Sequence, residues 1–268
     1  VVAIFQKGDV RRNKVIAAPV LERTTFKTSR LLDFCSQREL VAQTGHQTTD
    51  WPLVILKELL DNSIDACEDA GIVPDIRVLV NEIGITVTDN GPGIPAETVQ
   101  GVLDFNVRVS SREAYVSPCR GAQGNALKTL VAMPFTLDGE QGNVEIEAHG
   151  VRHVINFRVD RVRQQPVIQY DPQQVDPAFP GTKILIRWPD SARSILDNAK
   201  ARFLQIASDF TFLNPHLTLR VDWFGAITTV ERTTDPWSKW LPHHPTSAHW
   251  YTVEQLERLI GAYVTDDV

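Results

Sequence analysis

The stretch Trp51–Ala70 constrains this chain most, because its residues divide between two sides of one helix. With Glu58 at zero and about 100° per residue, Asn62 falls at about 40° and Asp65 at about −20°. Leu53, Leu56, Leu60, Ile64 and Cys67 gather opposite them, within a wedge of about 80°. Asp50 stands at the expected N-cap, Pro52 lies in the first turn, and Gly71 follows the last. Such a helix packs one side on a core and offers a carboxylate, an amide and a second carboxylate on the other. Taken alone, the pattern also describes a surface helix with a solvated face. Ile55 and Leu59 flank the polar stripe and argue against full solvation.

The elements around it are mixed. Leu31–Thr44 reads as a short helix closed by Gly45. Ile76–Val80 and Ile85–Thr88 read as strands joined by the hairpin turn Asn81-Glu82-Ile83-Gly84. Pro95–Leu103 reads as a helix, as does Asn125–Met133, ended by Pro134. Strands are expected at Val144–Ala148, Val151–Val159, Thr182–Trp188 and Leu217–Phe224, with a long amphipathic helix at Ser191–Leu213 closed by Asn214-Pro215. Hairpin-linked strands and helices sharing one sheet face make the class α+β. Residues 1–30 lack periodicity and read as an arm or strap. A composition change at Thr234–Trp250, rich in Pro, His and Trp, reads as a linker before a further helix at Val253–Tyr263.

With 43% hydrophobic and 22% charged residues the chain can bury an ordinary core. Its net charge of −6 argues against binding nucleic acid by charge alone. Cys35, Cys67 and Cys119 are far apart and form no CxxC pair, which fits buried thiols in a reducing compartment. His243, His244 and His249 have no cysteine or acid at ligand spacing and read as linker residues rather than a metal site. The tryptophans between 223 and 250 read as packing at a domain junction. No run is apolar and long enough to cross a membrane, and the N-terminus lacks a signal-peptide layout. A soluble cytoplasmic protein is expected.

Two further segments carry chemistry. In Val87-Thr88-Asp89-Asn90-Gly91-Pro92-Gly93-Ile94-Pro95 an acid ends a strand, and two glycines flank a proline, so the backbone turns with no side chains in the way. Asp89 over such a turn could accept a hydrogen bond from an exocyclic amine such as that of adenine, although a tight turn alone has the same pattern. Ser110-Ser111-Arg112 is followed by Arg120-Gly121-Ala122-Gln123-Gly124-Asn125-Ala126-Leu127-Lys128, a glycine-bearing loop that feeds a helix start. N–H groups and the helix dipole favour phosphate there, and Arg112, Arg120 and Lys128 would add full charges. The spacing is not that of a P-loop.

In order, E58-xxx-N62-xx-D65-A66, D89-N-G-P-G93-I and G121-xx-G124 resemble the three nucleotide-binding boxes of the GHKL ATPases. Within that family, KELLDNSIDACEDAGIVPDI (57–76), Ser111-Arg112, RGAQG (120–124), Gly181-Thr182-Lys183 and the stretch His243–Leu259 are most similar to the B subunits of type IIB DNA topoisomerases. The resemblance covers about residues 24–265. It implies a Bergerat-type two-layer sandwich, with a mixed, mostly antiparallel sheet and helices on one face. It also implies an ATP-binding domain over 31–230 and the start of a helix-two-turn-helix-like module in 231–268.

By resemblance, Glu58 is the general base, Asn62 the ligand of Mg²⁺, Asp65 a support, and Asp89 the adenine-selecting acid. Gly91, Gly93, Ile94 and Thr182 line the nucleotide, while Ser111, Arg112 and Arg120–Lys128 form the lid and phosphate loop. ATP is then a switch for homodimerisation, on double-stranded DNA together with a separate DNA-cleaving A-type subunit. This chain departs from the family at Asn125-Ala126-Leu127-Lys128, where further small residues are usual. A transducer domain with a lysine for the γ-phosphate has no counterpart before Val268, so the chain is expected to be part of a longer protein.

Overall fold

A computed structural model of the chain describes residues 35–103, 126–160, 162, 165–176, 180–234 and 252–265. The arm at 1–30, the start of the helix expected from Leu31, Ser111, Arg112, Cys119, Arg120–Asn125 and most of the linker lie outside the described residues.

The described strands form one eight-stranded sheet. In chain order they are β1 (Asp75–Val80), β2 (Gly84–Thr88), β3 (Gln141–Ala148), β4 (Val151–Asp160), β5 (Gln165–Gln174), β6 (Lys183–Arg187), β7 (Thr218–Trp223) and β8 (Ala226–Val230). Across the sheet they run β5-β4-β3-β6-β2-β1-β7-β8. Every pairing is antiparallel except β1 with β7. Alternation sets the faces: in β1, Ile76, Val78 and Val80 are buried while Asp75, Arg77 and Leu79 are exposed.

Three helices cover the apolar face: α2 (Trp51–Asp69), α4 (Ala126–Asp138) and α5 (Arg193–Leu213). They pack on β2, β3 and β7 respectively, and α2 touches both others. The shorter α1 (Gln37–Thr44) packs on α4, and α3 (Ala96–Leu103) follows the glycine turn. The last, α6 (Val253–Thr265), lies beyond the linker. On the open face, cross-strand ion pairs replace packing. Arg187 reaches Glu145 at 2.6 Å, and Arg152 and Lys183 approach Glu147 at 3.3 and 3.8 Å.

Several expectations are corrected. The helix expected to end at Pro134 continues to Asp138. Lys128 through Thr136 are all buried, and that packing outweighs the roughly 3 kcal/mol that an internal proline costs. Asp50 makes no side-chain cap, because a 3₁₀ turn at Thr48–Asp50 leads into α2 and puts Asp50 itself in a helical conformation. Two strands were not expected, β5 and β8. Strand β5 contains Pro166 and Pro172, which are tolerated because it is an edge strand paired only with β4. Strand β8 is exposed at every residue and shows no alternation.

Candidate functional site

The polar stripe of α2 lies where the helical wheel puts it. Leu56, Leu60, Ile64 and Cys67 are buried, with Ile55 and Leu59 beside them; Leu53 is half-buried. Glu58 and Asp65 are half-buried, and Asn62 is exposed. Glu58 Oε1 accepts from Lys57 Nζ at 3.2 Å, and the same ammonium donates to Asp61 Oδ2 at 2.8 Å. Burial lowers the proton affinity of Lys57, but the hydrogen bond and charge of Asp61, with those of Glu58, raise it above its ordinary value on balance.

Strand β2 delivers Asp89 to a buried position beside α2. Its Oδ1 accepts from Gly91 N at 2.9 Å and Thr182 N at 3.0 Å, and its Oδ2 accepts from Ser63 Oγ at 3.0 Å. Burial pushes the carboxyl above the usual range, opposed by the hydrogen bonds from Thr182, Gly91 and Ser63. The backbone closes the same ring: Asp89 N donates to Thr182 O at 2.9 Å, and Ile94 N to Thr182 Oγ1 at 3.1 Å.

Asn90 turns away from this ring. Its Oδ1 accepts from Asp75 N at 2.9 Å and its Nδ2 donates to Val73 O at 3.0 Å, tying the turn to the segment after α2.

Two glycines are required by contact. A Cβ on Gly181 would lie 1.8 Å from the carbonyl oxygen of Asp89, which no side chain tolerates. Gly93 has φ +86°, and a Cβ there would meet the imidazole of His149 at 2.8 Å. His149 itself sits at φ 52° in the β3–β4 turn. That turn therefore braces the glycine turn from the far side.

Ala126 and Leu127 are half-buried in the first turn of α4, and the Lys128 side chain is buried, 2% exposed, with partners inside the fold. The structure thus brings Glu58, Asn62, Asp65, Asp89, Gly91, Gly93, Ile94 and Thr182 to α2 and the adjoining β2 and β6 strand ends. Ser63 was missed by sequence reasoning. It lies about 140° from Glu58, close to the apolar wedge, and only its buried hydroxyl against Asp89 betrays its role. Gly181 gains its importance from the same ring.

A polar cavity of about 350 Å³, lined among others by Glu82, Asp138, Arg187 and Asp190, opens at the other end of β2 and takes no part in this site. Among the described residues no group of three or more His, Cys, Asp or Glu side chains is arranged to hold a metal ion. Asn62 is different in kind: a single exposed amide oxygen, a hard ligand suited to a magnesium ion that keeps most of its shell from phosphate and water.

Residues 48–160 match the family described as histidine kinase-, DNA gyrase B- and HSP90-like ATPase. This chain carries a GHKL ATPase domain. Its relatives include the B subunit of type 2 DNA topoisomerase 6 from Archaeoglobus fulgidus, 29% identical over 194 residues, which cover 68% of this chain and 31% of that protein. Its counterpart in Methanosarcina acetivorans is 27% identical over 71% of this chain and 32% of its own length. That of Pyrococcus horikoshii reaches 43% identity over 34% of this chain and 17% of its own length. The chain thus spans about a third of the length of the longer-matching relatives.

Among solved structures, a topoisomerase IV ATP-binding domain of Francisella tularensis in complex with a small-molecule inhibitor is similar at 19% identity and TM-score 0.41, covering 67% of this chain and 86% of that one. The MutL ATPase domain of Aquifex aeolicus complexed with ADP is similar at 15% identity and TM-score 0.40, covering 77% and 67%. Neither bears on the assignment, which rests on the sequence match. No described helix is long and apolar enough to cross a membrane.

Proposed function

We propose that residues 31–230 bind Mg-ATP and hydrolyse it slowly, and that nucleotide binding drives homodimerisation. The ring Ser63–Asp89–Gly91–Thr182 carries this reading. It holds a buried carboxylate at the mouth of a glycine turn, with only one lone-pair region of Oδ2 uncommitted, which suits the exocyclic amine of adenine. Gly91, Gly93 and Ile94 form the turn against the base, and Thr182 fixes it. Asn62 would hold Mg²⁺, which supplies charge neutralisation on the triphosphate when bound.

Glu58, one helical turn before Asn62, takes the proton of the attacking water. The water oxygen bonds to the γ-phosphorus as the bond to the bridging oxygen breaks, and ADP leaves with that electron pair. Asp65 supports the stripe without reacting. Ser111, Arg112 and the loop from Arg120 to Lys128 close over the phosphates, with Ala122, Gln123 and Asn125 offering backbone N–H groups beside Gly121 and Gly124.

The relatives' names extend the proposal: the chain acts on double-stranded DNA in the cytoplasm, at the nucleoid, with a separate DNA-cleaving A-type subunit. Residues 1–30 serve as an arm, and 231–268 link to a helical module. The test is twofold. Glu58→Ala should bind a non-hydrolysable ATP analogue with native affinity and release no phosphate; native turnover would remove Glu58 as the base. Size exclusion with and without the analogue should show dimers only with it. Dimerisation without any relaxation of supercoiled DNA by the assembled protein would discard the DNA half of the proposal and leave an ATP-gated clamp.

A further inference from the structure

The proposed base does not stand alone on its helix. Lys57 reaches across the turn and joins two carboxylates, Glu58 at 3.2 Å through Oε1 and Asp61 at 2.8 Å through Oδ2. The three differ in exposure: the Asp61 side chain is 10% exposed, Glu58 28% and Lys57 54%. The buried partner is therefore the anchor and the lysine the movable strut. As a stabilising pair this is worth little, since an exposed i,i+4 bridge contributes only a few tenths of a kcal/mol, and a lysine preceding its acid is the poorer orientation.

Its consequence is geometric. The ammonium commits Oε1 of Glu58, while Oε2 has no protein partner among the described residues. Without the strut, Asp61 and Glu58 are like charges three residues apart on one helix, and the freer of the two swings away.

We propose that Lys57 is a positioning residue, which bridges buried Asp61 to Oε1 of Glu58 and so leaves Oε2 as the single oxygen presented to the attacking water. The inference rests on Glu58 being the base. A carboxylate displaced by about 1 Å from its productive position can lose up to two orders of magnitude in rate, so a lost strut is read in turnover rather than in binding. Arginine at position 57 keeps a charged donor long enough to span both acids; methionine keeps the length and removes the charge.

The experiment uses the whole chain with radiolabelled ATP in single-turnover hydrolysis, isothermal titration with a non-hydrolysable ATP analogue, and thermal melting. Variants are Lys57→Met, Lys57→Arg, Glu58→Gln and the double variant Lys57→Met/Glu58→Gln. Lys57→Met should lower the rate about tenfold, leave analogue affinity within about twofold and leave the melting midpoint in place, while Lys57→Arg restores most of the rate. In the Glu58→Gln background, Lys57→Met should change the residual rate no further, because the lysine acts through Glu58.

An equal loss in both backgrounds, a parallel loss of analogue affinity, a full rate in Lys57→Met, or no rescue by arginine each overturns the role of Lys57 alone. Native turnover in Glu58→Gln, or none at all in the unmodified chain, overturns the assignment of Glu58 and the strut with it.

Discussion

Replacing Asp89 by asparagine tests the adenine pocket with little disturbance of the fold. The amide keeps an oxygen where Oδ1 accepts from Gly91 N and Thr182 N, so both backbone bonds survive. Oδ2 becomes an NH₂ group, which can donate to Ser63 Oγ once that hydroxyl turns. Its second hydrogen then faces the cleft, where the adenine amine is also a donor. One unsatisfied donor at a buried contact costs about 1–3 kcal/mol, or roughly 5- to 150-fold in Kd.

Stability moves the other way. Burial raises the Asp89 carboxyl above its unfolded value, so the folded chain holds that proton more tightly. The stabilising contribution is present at acid pH and is lost as pH rises through the raised native value. Asparagine removes that loss, and the variant without nucleotide should melt at or above the native temperature at pH 7. Isothermal titration with an ATP analogue and melting without nucleotide give the two readings. Affinity within twofold of native in a folded variant would refute Asp89 as the adenine acceptor.

Gly181→Ala drives a Cβ into the Asp89 carbonyl and should cost about 3 kcal/mol in urea unfolding; a native midpoint would show that the turn can retreat. His216 and Glu68 form a pair 3.0 Å apart, 3% and 2% exposed, between the loop before β7 and the end of α2. His216→Leu leaves that carboxylate buried without the imidazole and should destabilise by about 3 kcal/mol, measured in the same way. His153 is held below its ordinary value of 6.5 by burial, with Nδ1 2.7 Å from the Tyr170 hydroxyl. The stability it contributes is present above about pH 6.5 and is lost as pH falls through the depressed native value. His153→Gln should flatten that part of the stability–pH curve, and an unchanged slope would exclude His153 as its source.

Much of the site was legible because its helix obeys one period. The separation of Glu58, Asn62 and Asp65 from Leu56, Leu60 and Ile64 follows from 3.6 residues per turn and nothing further. The glycine turn was legible because Asp89 ends a strand where side chains are suddenly absent. Ser63 was not: a small hydroxyl at the margin of an apolar wedge has no periodic signature until a partner from another strand explains its burial. Lys57 reads from sequence as a solvated charge, and only coordinates show it joined to two acids. In the fold, β5 escaped because prolines veto a strand in the interior and are harmless at an edge, which pairing order alone decides. The overrun of α4 past Pro134 is the same lesson in a helix, since local preference lost to burial on nearly every side.

The bond from Thr182 to Asp89 joins residues 93 apart in the chain. Strand β6, which brings Thr182, lies between β2 and β3 and cannot take its place until the β3–β4–β5 meander has been made. The base pocket is thus a late product of folding, completed by a long-range closure rather than by its own local turn. A chain emerging from the ribosome would hold the helix of Glu58 and the whole glycine turn well before it could recognise adenine. Nucleotide affinity then certifies that the sheet is finished, and ATP stabilises only chains that have reached that point.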